Sequence, residues 1–410
     1  MEEYQLYTLP NGIRVVHKQV THTQIAHLGI MLDMGSRDEQ PHQQGLAHFW
    51  EHLAFKGTKK RNAFHILNRL EAFGGELNAY TTKEKICFYA SVLKEHYETA
   101  LELLVDITFN ATFPEKHIQK EKSVILEEMA MYYDSPEDAL QDDFDAILFQ
   151  NHSLGYNILG TQTSVNSFKR SDLQQFIAEN LDTSKIIVSS VGNLPFKKIQ
   201  AWADKYLAEI LPQSAVVQRV APVNYSPITQ TTKRPITQAH AAIGRQAYAL
   251  TDPKRLPFFM LSNLLGGIGM NSRLNLSVRE KHGLVYSVDA NYSPLIDTGF
   301  FGIYFATEKK NLKKATALIL KEMKLMKDNT LTTTQLHRTK QQLMGQLAMA
   351  EEGNMSFMLM MAKSLLDINR IDSLEDIFVQ IKAVQAKDLR GIAEEMFDES
   401  QFSFLTLLPE

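Results

Sequence analysis

Between Leu211 and Pro235 the chain carries four prolines (Pro212, Pro222, Pro227 and Pro235), no acidic residue, and many Ser, Thr, Gln and Val residues. Each proline fixes its own φ and removes a backbone donor, so the stretch cannot run as one helix or as a central strand. It reads as a partly extended linker over residues 212–235. That places one domain over 1–211 and another over 236–410, a division that suits a chain of 410 residues.

The two parts repeat a pattern. In the first, Ile86 to Ala90 is strand-like and is followed by a helical stripe of Tyr97, Ala100, Leu101, Leu104 and Val105. In the second, Phe301 to Ala306 is strand-like and the stripe is Leu312, Ala315, Leu318 and Ile319. Strand, charged turn and amphipathic helix therefore recur at similar places, which predicts internal duplication. Tyr7 to Lys18 reads as a hairpin around Pro10-Asn11-Gly12, and Ala26 to Met34 as a buried strand. Helices are predicted over 43–55, 62–73, 96–110, 114–133 and 137–149. There is neither a regular βαβ alternation nor a phosphate-binding glycine fingerprint. The fold class is α+β: two similar domains, each a mostly antiparallel sheet packed with helices.

Composition narrows the function. Lys plus Arg number 43 against 47 Asp plus Glu, a net charge of −4, so no nucleic-acid partner is expected. The single cysteine, Cys87, excludes an internal disulfide and a Cys-based zinc site. The most apolar uncharged stretch, Leu256 to Ser272, is too short to span a bilayer and contains three glycines, so no membrane partner is expected. The start, Met1-Glu2-Glu3-Tyr4, is acidic where a targeting segment would be basic, which predicts a cytoplasmic location.

The chemistry sits in His48-Phe49-Trp50-Glu51-His52. On a helix, residues four apart stand one above the other, so both imidazoles can face one ion with Glu51 beside them. Zinc accepts neutral imidazole and often a carboxylate third ligand, leaving one position for water. A carboxylate next to that water can take its proton. Glu121 and Glu128, two turns apart on a predicted helix, offer the carboxylate; by residue type alone Glu127 and Glu128 are equally ordinary solvated positions. Val124, Ile125 and Leu126 between them are expected to bury that helix. Manganese or cobalt would suit the same donors. The other histidines show no partner pattern and read as structural or surface residues. Met355, Met358, Met360 and Met361 read as adaptable core or dimer interface.

The order His-x-x-Glu-His, the inverted zincin motif, together with Glu121-Lys122-Ser123-Val124-Ile125-Leu126-Glu127-Glu128, resembles the pitrilysin and mitochondrial processing peptidase family. So do Gly74-Gly75-Glu76-Leu77-Asn78-Ala79-Tyr80-Thr81 and the run from Gly266 to Leu274 followed by Arg279 to Ser287. The resemblance implies His48, His52 and Glu128 as zinc ligands, one zinc per chain, and Glu121 orienting the site. It implies Glu51 as general base. Asn78 and Ala79 would lie on the edge strand where substrate pairs, and Arg279 and Tyr286 would reach the substrate bound at zinc. Read on residue type alone, Arg279 and Tyr286 belong to surface and core. Lys122 departs from the arginine usual in the family.

Chains of this length in the family form half of a clam-shell, and this chain holds both the zinc motif and the Arg279–Tyr286 pair. The resemblance thus implies a homodimer with composite sites, acting as an endopeptidase on unfolded oligopeptides. A non-catalytic peptide-binding or structural subunit of the same fold is the alternative; Glu51 beside a metal distinguishes the two, because a binder needs no base.

Overall fold

The computed structural model describes residues 4–410; the acidic start, Met1 to Glu3, lies outside the described residues. The strands are β1 (Gln5–Thr8), β2 (Arg14–Gln19), β3 (Ile25–Leu32), β4 (Glu76–Thr81), β5 (Ile86–Leu93), β6 (Ile186–Gly192), β7 (Thr229–Arg234), β8 (Ala239–Ala247), β9 (Val285–Pro294), β10 (Gly299–Thr307) and β11 (Ser403–Pro409). The helices are α1 (Leu46–Ala54), α2 (Ala63–Glu71), α3 (Tyr97–Phe109), α4 (Glu115–Asp134), α5 (Pro136–Leu148), α6 (Gln162–Ser167), α7 (Arg170–Asn180), α8 (Phe196–Leu207), α9 (Arg255–Gly266), α10 (Leu312–Asp328), α11 (Thr333–Glu351), α12 (Asn354–Ile368), α13 (Leu374–Ala383) and α14 (Ala386–Met396). No helix among the described residues is long and apolar enough to cross a membrane.

One sheet has the order β1-β2-β6-β3-β5-β4, the other β7-β11-β8-β10-β9. Apart from β1 the two match strand for strand. Each begins with a parallel pair, β2 with β6 and β7 with β11, joining its first strand to its last. Each continues through three antiparallel pairs to an edge, β4 or β9. The sequence repeat also reappears: β5, a 3-10 turn at Lys94–His96 and α3 match β10, a 3-10 turn at Lys309–Asn311 and α10. The protein is therefore α+β with two mixed sheets of one topology, the arrangement that duplication produces.

The chain forms two compact units that a single cut does not separate. The first comprises residues up to Ala130, 156–220 and 349–371; the second comprises 131–155, 221–348 and 372–410. In the first unit, α12 lays Phe357, Met358, Met361, Ala362 and Leu365 against Val16, Met31, Cys87, Ile187 and Val191 on one sheet face. In the second, α5 lays Leu140, Phe144, Ile147 and Leu148 against Ala242, Leu405 and Leu407. Each sheet is thus covered by a helix encoded in the other half of the sequence. Burying each large apolar side chain is worth about 1.5–3 kcal/mol, which periodicity alone cannot assign to a particular sheet. Met358 and Met361 are buried there, and Met355 is partly exposed.

Residues 212–235 also differ from a free linker. Thr229–Arg234 is strand β7, rich in β-branched threonine and paired with β11, which lies far away in sequence. Upstream, Arg219 ties the stretch to the first unit: Nε and Nη2 donate to the two carboxylate oxygens of Asp38, both at 2.8 Å. Its Nη1 donates to Asp33 Oδ1 at 2.9 Å. Val220 O accepts from Arg37 Nη2 at 2.9 Å.

The turn at Pro10-Asn11-Gly12 joins β1 to β2 with Gly12 at φ +91°, while Asn11 spends its amide on Leu207 O and Ile210 O at 2.8 and 2.9 Å. On β2, His17 is fully buried, with Nε2 donating to Leu194 O at 3.0 Å and Nδ1 accepting from Ser190 Oγ at 2.8 Å. Burial pushes its pKa down to about 4 from 6.5. The unfolded chain therefore takes up this proton at higher pH than the folded one, so the stability is complete above pH 6.5 and lost as pH falls toward 4. That loss is worth about 3 kcal/mol. Urea unfolding at pH 7 and 4.5 is expected to show a smaller pH-dependent drop for His17→Gln than for the native chain; equal drops would remove His17 as a cause.

Candidate active site

Helix α1 begins at Leu46, not at 43, because Gly45 stands at φ +93° and interrupts the helical run. A Cβ at Gly45 would lie 2.4 Å from Leu159 O, so that approach also requires glycine. Glu39, 4% exposed, caps the helix: its two carboxyl oxygens accept from Gly45 N and Ala47 N at 2.9 and 2.8 Å. Leu46, Ala47, Phe49, Trp50 and Leu53 are buried in the first core, with Trp50 edge-on to Phe88 at 6.0 Å. This leaves His48 and His52 toward α4 and Glu51 toward β4.

On α4 the carboxylate that meets the two imidazoles is Glu128; Glu127 is exposed. Glu128 Oε2 lies 3.8 Å from His48 Nε2 and 3.5 Å from His52 Nε2. A tetrahedral zinc with ligands near 2.1 Å separates its donors by about 3.4 Å; both Glu128 distances are close to this, and the three ligand atoms all lie within 4.8 Å of one another. Of the apolar residues expected to bury α4, only Ile125 is fully buried; Leu126 is half-buried and Val124 is 41% exposed. Burial pushes His48 down to about 3, with His52 adding to the effect, so His48 stays as the neutral imidazole that ligates metals.

Glu121, 2% exposed, takes up the other nitrogen of His52: Oε2 lies 3.3 Å from His52 Nδ1, and Oε1 is 3.1 Å from Lys56 Nζ. Burial pulls this carboxyl upward, but the bonds from His52 and Lys56 outweigh it and hold it lowered. An ionised Glu121 accepts a hydrogen bond from Nδ1–H of His52 and leaves the Nε2 lone pair free for the point on which the three donors converge. Lys122, by contrast, turns away to Asn166 O at 2.8 Å.

Glu51 stands beside the donor set. Its Oε2 accepts from Thr81 Oγ1 at 2.6 Å. Burial raises its carboxyl, which the Thr81 bond and His52 oppose and Glu128 reinforces. Thr81 ends β4, the edge strand, where Asn78 and Ala79 pair with Tyr89 and Phe88 on β5. Asn78 is exposed, and its Oδ1 accepts from Ala79 N at 2.9 Å. Sequence assigns no role to Glu39, Lys56 or Thr81. Thr81 ends the Gly74–Thr81 motif and Glu39 is a carboxylate shortly before the helix, but the contacts of all three arise only through the fold.

In the second unit, Arg279 lies in a turn of π-helix, Asn275–Glu280, that closes through Gly283 at φ +58°. Tyr286 follows on edge strand β9, and the Arg279 guanidinium lies 5.6 Å from its ring centre. Tyr286 is 86% exposed, not a core residue as its type suggested. The pair borders a cleft of about 200 Å³ with Gly267, Met270 and Asn275. Helix α9, which follows β8 as α1 follows β3, carries no His, Asp or Glu. The cluster His48, His52 and Glu128 thus has no counterpart on the matching helix of the second unit.

Two units of one topology, with an inverted-zincin donor set among the described residues on the first alone, define a class of metallopeptidase scaffold. The sequence pattern described as insulinase (peptidase family M16) matches residues 14–162, and that described as the peptidase M16 inactive domain matches 167–343. The chain belongs to the M16 peptidase family. The stretch matched as inactive is the one whose equivalent helix lacks metal donors. The chain is 33% identical to the uncharacterized zinc protease YmxG of Bacillus subtilis over 96% of its own length and 95% of that relative's. It is 30% identical to an uncharacterized zinc protease of Rickettsia bellii over 98% and 97%. In fold it matches a protease from Helicobacter pylori with a TM-score of 0.90 at 22% identity, each chain covered completely.

Proposed function

We propose that the chain is a zinc-dependent endopeptidase for unfolded oligopeptides. The observation that carries the reading is the position of Glu51: next to three converging donors, held by Thr81, and not itself one of them. His48, His52 and Glu128 would hold zinc, which supplies Lewis acidity and lowers the pKa of water at the open position. Glu51 takes the proton of the attacking water and returns it to the leaving amine nitrogen. An extended peptide adds to the open edge of β4 at Asn78 and Ala79, which selects unfolded substrates because a folded one has no free strand to offer.

The active form we propose is a homodimer in which Arg279 and Tyr286 of one protomer complete the zinc site of its partner. Their donors steady the substrate carbonyl as negative charge develops on it. Mixing tests this arrangement. Glu51→Gln and Arg279→Ala chains, each inactive alone, are expected to regain about a quarter of native activity after subunit exchange, because one site in each mixed dimer is intact. No regain from chains shown to exchange would place both groups of one site in the same protomer.

A further inference from the structure

One short segment governs two parts of the site. Gly35 to Glu39 leads into α1, and Glu39 caps that helix. The same segment grips the β4–β5 turn: Ser36 N donates to Thr82 O at 3.2 Å and Arg37 N to Lys83 O at 2.8 Å. The approach is so close that a Cβ on Gly35 would lie 2.4 Å from Thr82 O. Across the turn, Arg37 pairs with Glu84 at 2.5 Å, both buried, so the contact is fixed by charge as well as by backbone. The start of the helix carrying Glu51 and the end of the strand carrying Thr81 are therefore set against each other before any substrate arrives. The 2.6 Å bond from Thr81 Oγ1 to Glu51 Oε2 bridges them.

Thr81 also shares its strand with Asn78 and Ala79, and side chains two apart point to the same face. Ala79 and Thr81 thus occupy one face of the edge on which a peptide would pair. Glu51 is flexible at three side-chain torsions, and the hydroxyl of Thr81 is the hydrogen-bond donor that fixes its carboxylate. Resting on the peptidase reading above, we propose that Thr81 is a positioning residue for the reaction. Its hydroxyl holds Glu51 in the rotamer that faces the metal donors, and so links the strand that receives substrate to the base that acts on it. Threonine suits the place: its hydroxyl donates to Glu51 while its branched carbon favours the strand.

The test compares Thr81→Val, which keeps the branched shape and removes the donor, with Thr81→Ser, which keeps the donor and removes the methyl. Both are assayed with native chain and Glu51→Gln on a quenched-fluorescent unstructured peptide. Zinc affinity, by competition with a chromophoric chelator, and thermal midpoint are measured in parallel. The valine chain is expected to lose about 10- to 100-fold in kcat, with KM and zinc affinity near native. The serine chain should stay within about threefold of native, since the donor is what matters. A valine chain with native kcat overturns the proposal, as does a serine chain that falls as far as valine. If the native chain is no faster than Glu51→Gln, the peptidase reading itself is lost and this proposal with it. If native is fast, Glu51→Gln slow and valine unaffected, only the role of Thr81 is lost.

Discussion

Glu51→Gln is expected to keep its zinc and cleave an unstructured peptide about 10²- to 10⁴-fold more slowly than the native chain. That corresponds to about 3–5 kcal/mol of lost transition-state stabilisation. Glutamine has the shape of glutamate, and its amide oxygen can still accept from Thr81 as Glu51 Oε2 does. It cannot take a proton from water. Glu51 is not among the three converging donors, so zinc content by atomic absorption should be unchanged. Equal cleavage by both chains would remove Glu51 from the mechanism. Loss of zinc together with activity would mean that Glu51 belongs to the ligand set.

The second large effect concerns metal affinity. Glu121→Gln should weaken zinc binding by about 10- to 100-fold, the usual consequence of losing an outer hydrogen-bond partner of a ligating histidine. The substitution exchanges one carboxylate oxygen for an NH₂ group, and whichever way the amide turns, one of its two contacts fails. It can accept from His52 Nδ1 at 3.3 Å only by presenting a donor to Lys56 Nζ at 3.1 Å. Glu128→Ala should weaken binding by more, because it removes a donor that lies 3.5 and 3.8 Å from the two imidazole nitrogens. Competition against a chelator of known affinity would rank the two. A reversed order would make Glu121 the ligand and Glu128 the supporting residue.

Much of the site was legible because the residues that build it repeat locally. The four-residue spacing of His48 and His52 needs only a helix, and α1 supplies it. The same holds for β5, α3, β10 and α10, whose stripes and strands are short-range patterns. Glu128 could be separated from Glu127 only by resemblance, and the structure separates them through helix phase, with Glu127 exposed. Arg279 and Tyr286 likewise came from resemblance, since an arginine and a tyrosine at that spacing carry no signal of their own.

What sequence missed depends on partners distant along the chain. β7 lies among prolines and threonines, and its strand character depends on β11, which follows some 170 residues later. Arg219 carries no signal in the sequence, and its role appears only when Asp33 and Asp38 close around its guanidinium. The bond between Thr81 and Glu51 depends on a hairpin and a helix being held by one segment, Gly35 to Glu39. No periodicity reports such a contact.

The exchange of α5 and α12 bears on how the protein is made. A nascent chain that has just passed Gly192 holds all six strands of the first sheet but not the helix that covers Val16, Met31, Cys87, Ile187 and Val191. That apolar surface stays uncovered while more than 150 further residues are synthesised, the interval in which an unfinished domain is most prone to stick to others. Helix α5 emerges early and waits even longer, because its partners Leu405 and Leu407 lie on β11. Synthesis order and folding order therefore differ, because each unit completes its packing only after a stretch that belongs to the other unit has been made.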